Sequence, residues 1–104
     1  MGSMLNMLGL CARAGKLVTG EKACVQAIRA GNAGVALLDG AAAANAVKAV
    51  SQACQTHGVA LIRTGAFALG DAIGRPGRMA AVVTDAGFAR RITELSKAEE
   101  SAVP

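Results

Sequence analysis

Aromatic side chains are almost missing from this sequence. Among 104 residues there is no tryptophan and no tyrosine, and the two phenylalanines are Phe67 and Phe88. Proteins that read single-stranded nucleic acid usually stack bases on several exposed rings, and the composition excludes a surface of that kind. Histidine occurs once, as His57, and cysteine three times, as Cys11, Cys24 and Cys54. An odd number of cysteines with no CxxC pair argues against a disulfide framework and against a thiolate zinc module. Each cysteine falls on the apolar side of an expected helix, which reads as three buried, reduced thiols in a cytoplasmic protein.

Long apolar runs are lacking too. None approaches the roughly 20 residues that a membrane span needs, so no membrane association is expected. The first residues carry no signal-peptide pattern, and residues 1–3 read as a cloning scar ahead of a native start at Met4. Motifs that carry chemistry are also missing. No serine or cysteine stands in a nucleophile motif, the acidic residues are scattered, and neither GxGxxG nor GxxxxGK[ST] occurs. The glycines of Gly70-Asp71-Ala72-Ile73-Gly74 fall within and after a helix, not before one. The expectation is a protein that is not an enzyme and uses no metal, cofactor or small-molecule substrate.

What the chain does have is small apolar residues. Hydrophobic residues make up 53%, most of them Ala, Val and Leu, so the core should be built from short side chains. Met4, Met7, Leu8 and Cys11 recur at helical spacing, and Gly15 closes that helix. Leu17-Val18 reads as a very short strand, Glu21 to Ala30 as a helix and Gly34 to Leu38 as a buried strand. Asp39-Gly40 is a turn and Ala42 to Thr56 a helix capped by Gly58. Val59 to Ile62 is a strand and Phe67 to Ile73 a short helix stopped by Gly74. Met79 to Val83 is the last strand, and Asp85 caps a final helix whose Phe88, Ile92 and Leu95 face inward. Strands that are apolar throughout, alternating with helices, indicate a sheet covered on both faces. The reading is an α/β protein, a three-layer α/β/α sandwich, with one domain over residues 4–96 and a charged, frayed tail over residues 97–104.

The net charge is +4, and of 11 basic residues seven are arginine, the better residue for phosphate and base edges. Two basic groupings stand out. In the first, Gly20-Glu21-Lys22 opens the second helix. The first N–H groups of a helix have no internal partner and can donate to an anion. Lys22, Gln26 and Arg29 continue from there as one polar stripe opposite Cys24 and Ile28. Glu21 is explained as a favourable acid in a first turn, and the stripe is equally compatible with a solvated face. Lys22 is not explained by capping, because its charge is unfavourable at a helix N-terminus unless an anion is near. In the second grouping, Arg75 and Arg78 flank Pro76-Gly77, next to the apolar Met79. Two guanidinium groups on a rigid turn suit phosphate and guanine recognition, although a helix-to-strand turn alone would also account for them. Arg63 after the third strand and Lys16 near the first grouping are candidate additional contacts.

These segments, in this order, resemble the ribosomal protein L7Ae/L30e superfamily, in particular its bacterial branch of L7Ae-like RNA-binding proteins. LGLCARAGKLVTGEKACVQAIRAGNAGVALL is similar to the opening helix, strand, helix and strand of that branch. LGDAIGRPGRMAAVVTDAGFARRI is similar to its closing half. The likeness runs from Leu5 to Leu95. It implies an L30e-like α/β/α sandwich around a central four-stranded mixed sheet that binds kink-turn-like or ribosomal RNA. By position, the RNA-facing residues it implies are Gly20, Glu21, Lys22, Ala23 and Gln26, followed by the segment Gly74 to Met79 with Arg75, Pro76 and Arg78. The chain departs from kink-turn binders in carrying Gly20-Glu21-Lys22-Ala23 where they have Gly-Thr-Asn-Glu. Lys22 can still donate to a guanine O6 or N7, whereas Ala23 cannot accept from a guanine amino group. Gln26 stands in place of the family lysine, and Ala41-Ala42-Ala43-Ala44-Asn45 keeps only Asn45 as a polar group of a loop that is polar in relatives. Binding of structured RNA is the first reading. A protein-interaction module on an RNA-binding fold that has lost its reading residues is the alternative.

Overall fold

Short strands of small apolar residues set the architecture. A computed structural model of the protein describes residues 3–101. In chain order the elements are α1 (Ser3–Arg13), β1 (Leu17–Thr19), α2 (Glu21–Arg29), β2 (Val35–Leu38), α3 (Ala44–His57), β3 (Leu61–Arg63), α4 (Ala68–Ile73), β4 (Ala80–Val83) and α5 (Ala86–Ser101). The strands form one mixed sheet in the order β1-β4-β2-β3. β4 runs antiparallel to both of its neighbours, with Val18 opposite Val82 and Ala36 opposite Val82, while β2 and β3 are parallel with Leu37 opposite Ile62.

Strand side chains alternate between faces, and here both alternating sets are apolar. Val35, Leu37, Ala81 and Val83 point into a core completed by Met4, Leu8 and Cys11 of α1, Leu69 and Ile73 of α4, and Ala89 and Ile92 of α5. Ala36, Leu38, Ala80 and Val82 point the other way, into a core completed by Cys24 and Ile28 of α2 and Val50, Ala53 and Cys54 of α3. The expected α/β/α sandwich with a four-stranded mixed sheet is therefore what the chain forms. No helix among the described residues is long and apolar enough to cross a membrane.

The C-terminal end differs from expectation. The segment from Lys97 reads in sequence as a frayed tail, yet α5 continues to Ser101. The reason is a long-range cap. Glu99 accepts a hydrogen bond from the Met4 amide at 2.8 Å, so a carboxylate satisfies an otherwise unpaired donor at the start of α1, where negative charge is favoured. Residues 102–104 of that tail lie outside the described residues, as do Met1 and Gly2, and Ser3 opens α1. At the other end of α5, Asp85 accepts from the Phe88 amide at 2.9 Å, the N-cap that the sequence suggests.

All three cysteines are buried free thiols, as expected. Burial, with the Asp85 carboxylate adding to it, pushes the Cys11 thiol up from 9.0 to about 11. Burial beside Cys54 pushes Cys24 up to about 12. In the unfolded chain these thiols lose their protons near 9.0, while the folded protein still holds them. Stability is therefore undiminished below about pH 9 and falls as pH rises from there toward about 11 and 12. Urea unfolding at about pH 7.5 and about pH 10 should show a lower midpoint at the higher pH, and a Cys24→Ala variant should show a smaller drop. A thiol reagent should modify none of the three without denaturant.

Candidate nucleic-acid interface

One end of the sheet gathers most of the basic residues picked out in the sequence. β1, β2 and β3 all finish there and β4 begins there, because Thr19 pairs with Ala81, and Leu38 pairs with both Ala80 and Arg63. The next residues are Gly20, Asp39, Thr64 and, preceding β4, Met79. The Gly20 amide donates to the Ala80 carbonyl at 3.1 Å, and the Asp39 amide donates to the Met79 carbonyl at 2.8 Å. The loops that leave this rim are stitched to one another by their backbones.

Gly20 is the N-cap of α2, with φ 98° and no side-chain cap. The first intrahelical bond runs from the Cys24 amide to the Gly20 carbonyl. The amides of Glu21, Lys22 and Ala23 precede it and point out of the helix end. Arg78 reaches this point from the far half of the chain: a β-carbon on Gly20 would lie 3.5 Å from its Nη1. Glu21, Lys22 and Gln26 are exposed along α2 from the same end.

The turn that carries Arg78 is rigid. The Arg78 amide donates to the Arg75 carbonyl at 3.2 Å. Pro76 and Gly77, the latter with φ 88°, occupy the two central positions as a type II turn requires. The Arg75 amide in turn donates to the Gly70 carbonyl at 2.9 Å. The turn lies directly on α4: a β-carbon on Gly70 would lie 2.7 Å from the Arg75 carbonyl oxygen and 3.2 Å from Pro76 Cα. Arg75, Pro76 and Arg78 are exposed and Met79 is half-buried. Arg75 also lines a small cavity of about 230 Å³ with Ala12, Leu17, Thr19 and Ile73.

The remaining two sequence candidates fare differently. Arg63, at the end of β3, belongs to the rim; its Nη2 donates to the Asp39 carbonyl at 3.4 Å. It stands three strand spacings from β1, about 14 Å away. Lys16 does not join the cluster. Its carbonyl accepts from the Thr84 amide and hydroxyl at 3.0 and 3.1 Å, which fixes it beside the other end of β4, about 13 Å from Gly20 along extended chain.

The residue that organises the rim is one that sequence reading treats as an ordinary turn. Asp39 is fully buried. Its Oδ2 accepts from the Ala41 amide at 2.8 Å and the Phe67 amide at 2.7 Å; its Oδ1 accepts from the Leu69 amide at 3.0 Å and the Thr64 hydroxyl at 3.1 Å. The carboxylate thus caps α4, whose own N-cap, Phe67, offers no side-chain bond. Burial on its own would raise the Asp39 pKa, but the Ala41, Leu69 and Phe67 amides and the Thr64 hydroxyl outweigh it and hold the group below its ordinary 3.8. Phe67 takes a left-handed conformation (φ 63°, ψ 2°), which costs a residue other than glycine about 1–3 kcal/mol; the short bond to Asp39 helps to hold it there. The one available signal was position: an acid directly after the wholly apolar Val35–Leu38 strand begins its turn inside the core.

A family model for the ribosomal protein L7Ae/L30e/S12e/Gadd45 family matches residues 3–93. The chain belongs to this family. It is 37% identical over 90 residues to RNA-binding protein YlxQ of Bacillus subtilis, covering 86% of this chain and 90% of that one. Among solved structures it is similar to a Bacillus halodurans protein of unknown function, with TM-score 0.88 and 33% identity over 93% of this chain and 99% of the other. It also shares its fold with a 15.5 kD RNA binding protein of Giardia lamblia, with TM-score 0.74 and 21% identity over 91% of this chain and 85% of that one. Family membership fixes the frame in which the rim is to be read. Among the described residues no cluster of three or more His, Cys, Asp or Glu is arranged to hold a metal ion.

Replacing Asp39 by asparagine tests the clamp. An amide presents one acceptor and one donor where the carboxylate serves two donors at each oxygen, so at least one backbone N–H is left unpaired. Asp39→Asn should destabilise the fold by about 1–3 kcal/mol at neutral pH. The pH dependence follows from the depressed pKa. The Asp39 contribution is complete above about pH 4 and is lost as pH falls through the folded-state value, because the unfolded carboxylate takes up its proton first. Acid unfolding followed by circular dichroism should show a shallower loss of stability in the variant than in the unaltered chain.

Proposed function

We propose that the chain binds structured RNA, without catalysis, at the rim formed by the start of α2 and the Arg75–Arg78 turn. The observation that carries the reading is the meeting of Arg78 with Gly20. Two segments more than 50 residues apart in the sequence put a guanidinium group beside the open N-terminus of a helix. Backbone donors, a favourable dipole and a fixed positive charge then face the same point, an arrangement suited to a phosphate. The name of the Bacillus subtilis relative, an RNA-binding protein, and the ribosomal character of the family support RNA as the polyanion.

The ligand we infer is a kink-turn-like element or a ribosomal RNA junction, recognised more by shape and backbone than by base identity. Lys22 can donate to the O6 or N7 of a guanine, but Ala23 has no acceptor for the guanine amino group and Gln26 brings no charge. Phosphate contacts position a protein, and base contacts specify the sequence. In this chain the first set is well supplied by Arg75, Arg78, Lys22 and, across the rim, Arg63. Lys16 contributes only to the general field.

The test is a titration of a kink-turn RNA and a scrambled RNA at several salt concentrations. Affinity should fall steeply with salt, because each neutralised phosphate releases counterions. Arg75→Ala and Arg78→Ala should each reduce the magnitude of the log–log slope by about one, with stability unchanged. Salt-insensitive or absent RNA binding, together with capture of a protein partner, would instead support an interaction module. A quick check uses the missing aromatics: with no Trp or Tyr, the purified protein barely absorbs at 280 nm, and bound RNA would dominate its spectrum near 260 nm.

A further inference from the structure

The groove between α1 and α4 is not filled by the core and takes no part in the proposed RNA rim. Its volume is about 680 Å³, and it is lined by Leu5, Gly9, Leu10 and Arg13 of α1 and by Asp71 and Ala72 of α4. Residues 5, 9 and 13 share one side of α1, while Met4, Leu8 and Cys11 turn into the core. Gly9 brings the two helices together: a β-carbon there would lie 2.9 Å from the Ala72 carbonyl oxygen. The floor of the groove is therefore backbone and a methyl group. The same β-carbon would lie 3.7 Å from Arg13 Nη1, so the guanidinium lies over that floor.

Two features of this groove stay unmatched within the chain. Leu10 is 46% exposed, although every other large apolar residue of α1 is buried or half-buried. A lone exposed leucine is ordinary, but this one stands at the lip of a recess lined by small residues. Arg13 and Asp71 are both exposed and line the same groove, yet they do not pair; the one ion pair among the described residues joins Arg91 to Glu94. The groove thus holds a projecting apolar group and a recess, and a cation and an anion. Each is half of a contact whose other half is on the same face.

We infer that this groove is the contact face between two copies of the chain related by a two-fold axis. Across such an axis, residue i of one copy meets residue j of the other, and j meets i. Leu10 of each copy then seats over Gly9 and Ala72 of the other, and Arg13 of each meets Asp71 of the other. An RNA strand is a poor occupant, since Asp71 repels phosphate. Helices of 11 and 6 residues are about 16 and 9 Å long, and a pair is about 20 Å across. A face of that size lies below the roughly 800 Å² per partner of a stable complex, so the dimer is reversible and depends on concentration. α1 and α4 cover one face of the sheet and α2 covers the other, so the start of α2 stays open in both copies. The dimer therefore does not depend on the RNA-binding reading.

Sedimentation equilibrium from about 1 μM to about 1 mM tests this on the unaltered chain and on Arg13→Glu, Asp71→Lys and Leu10→Ser. Refractive-index detection suits a protein without Trp or Tyr. The unaltered chain should pass from monomer to dimer. Each single variant should self-associate about tenfold or more weakly, with unchanged circular dichroism because all three side chains are exposed. The decisive sample is an equimolar mixture of Arg13→Glu and Asp71→Lys. The acid introduced at position 13 then faces the base introduced at position 71, and the original Asp71 faces the original Arg13. The two variants should bind each other more tightly than either binds itself, and both changes in one chain should restore the dimer. A misfolded variant could not be rescued in this way. A chain that is monomeric at about 1 mM overturns the inference. So does a dimer that all three substitutions leave intact, and so does a weakened dimer that neither the mixture nor the double variant restores.

Discussion

The fully buried carboxylate of Asp39 is the constraint on which the functional end of this molecule depends. A buried anion is costly unless its lone pairs are used, and here four donors from three segments use them. One comes from its own turn, one from the end of β3 and two from the start of α4. The same residue's amide and carbonyl engage Met79 and Arg63. A single residue thus fixes the end of β2 relative to β3 and α4 through its carboxylate, and to the approach of β4 through its amide. Loops over the end of a four-stranded sheet would otherwise be mobile, and a mobile rim could not hold arginines at fixed spacing.

The rim is also where the topology concentrates helix starts. α2, α3 and α4 each begin just after a strand has ended there, so three sets of N-terminal amides approach one end of the sheet. They are not equivalent. Asp39 occupies the amides of α4, whereas the Gly20 and Ala43 N-caps of α2 and α3 offer no side-chain bond. The positive end of α4 is neutralised internally, and the positive end of α2 remains available beside Arg78. Placing Arg78 next to uncapped amides is unfavourable without an anion. That local conflict, in a chain whose buried side-chain polar atoms are otherwise satisfied among the described residues, supports the proposal of an anion site there.

Much of this could be read in the sequence because the signals are local. Val35–Leu38 and Ala80–Val83 are apolar at every position, so a sheet buried on both faces follows from four residues each. Gly20 before an amphipathic helix and Pro76-Gly77 between arginines mark a helix start and a turn without reference to the rest of the chain. What could not be read is what depends on distant partners. Three of the four bonds to the Asp39 carboxylate span 25 to 30 residues, and apart from its place directly after an apolar strand nothing near Asp39-Gly40 distinguishes a buried carboxylate from a solvent-facing turn. The bond from Met4 to Glu99 spans 95 residues, so the charged segment after Lys97 reads as a tail although it closes the start of the first helix. Lys16 stands apart from the other basic residues for a related reason. It is near Gly20 in sequence, but an extended strand lies between them and carries the two to opposite ends of β4.

Asp39 raises an apparent contradiction, a negative charge beneath a surface proposed to bind a polyanion. The geometry resolves it. Every hydrogen bond to the carboxylate comes from a donor that faces inward, and the group is wholly shielded from solvent, so its field at the surface is reduced by the dipoles that surround it. Its ionised form is moreover what permits those donors to converge, since a neutral amide could not accept from all four. The anion organises the α4 start so that the exposed cations lie beside it, on the turn that Gly70 supports. Removing the negative charge to favour RNA would therefore loosen the arginines proposed to meet it. Attraction at the rim is limited less by the sum of charges than by how firmly Arg63, Arg75 and Arg78 are positioned, and that firmness originates in the buried acid.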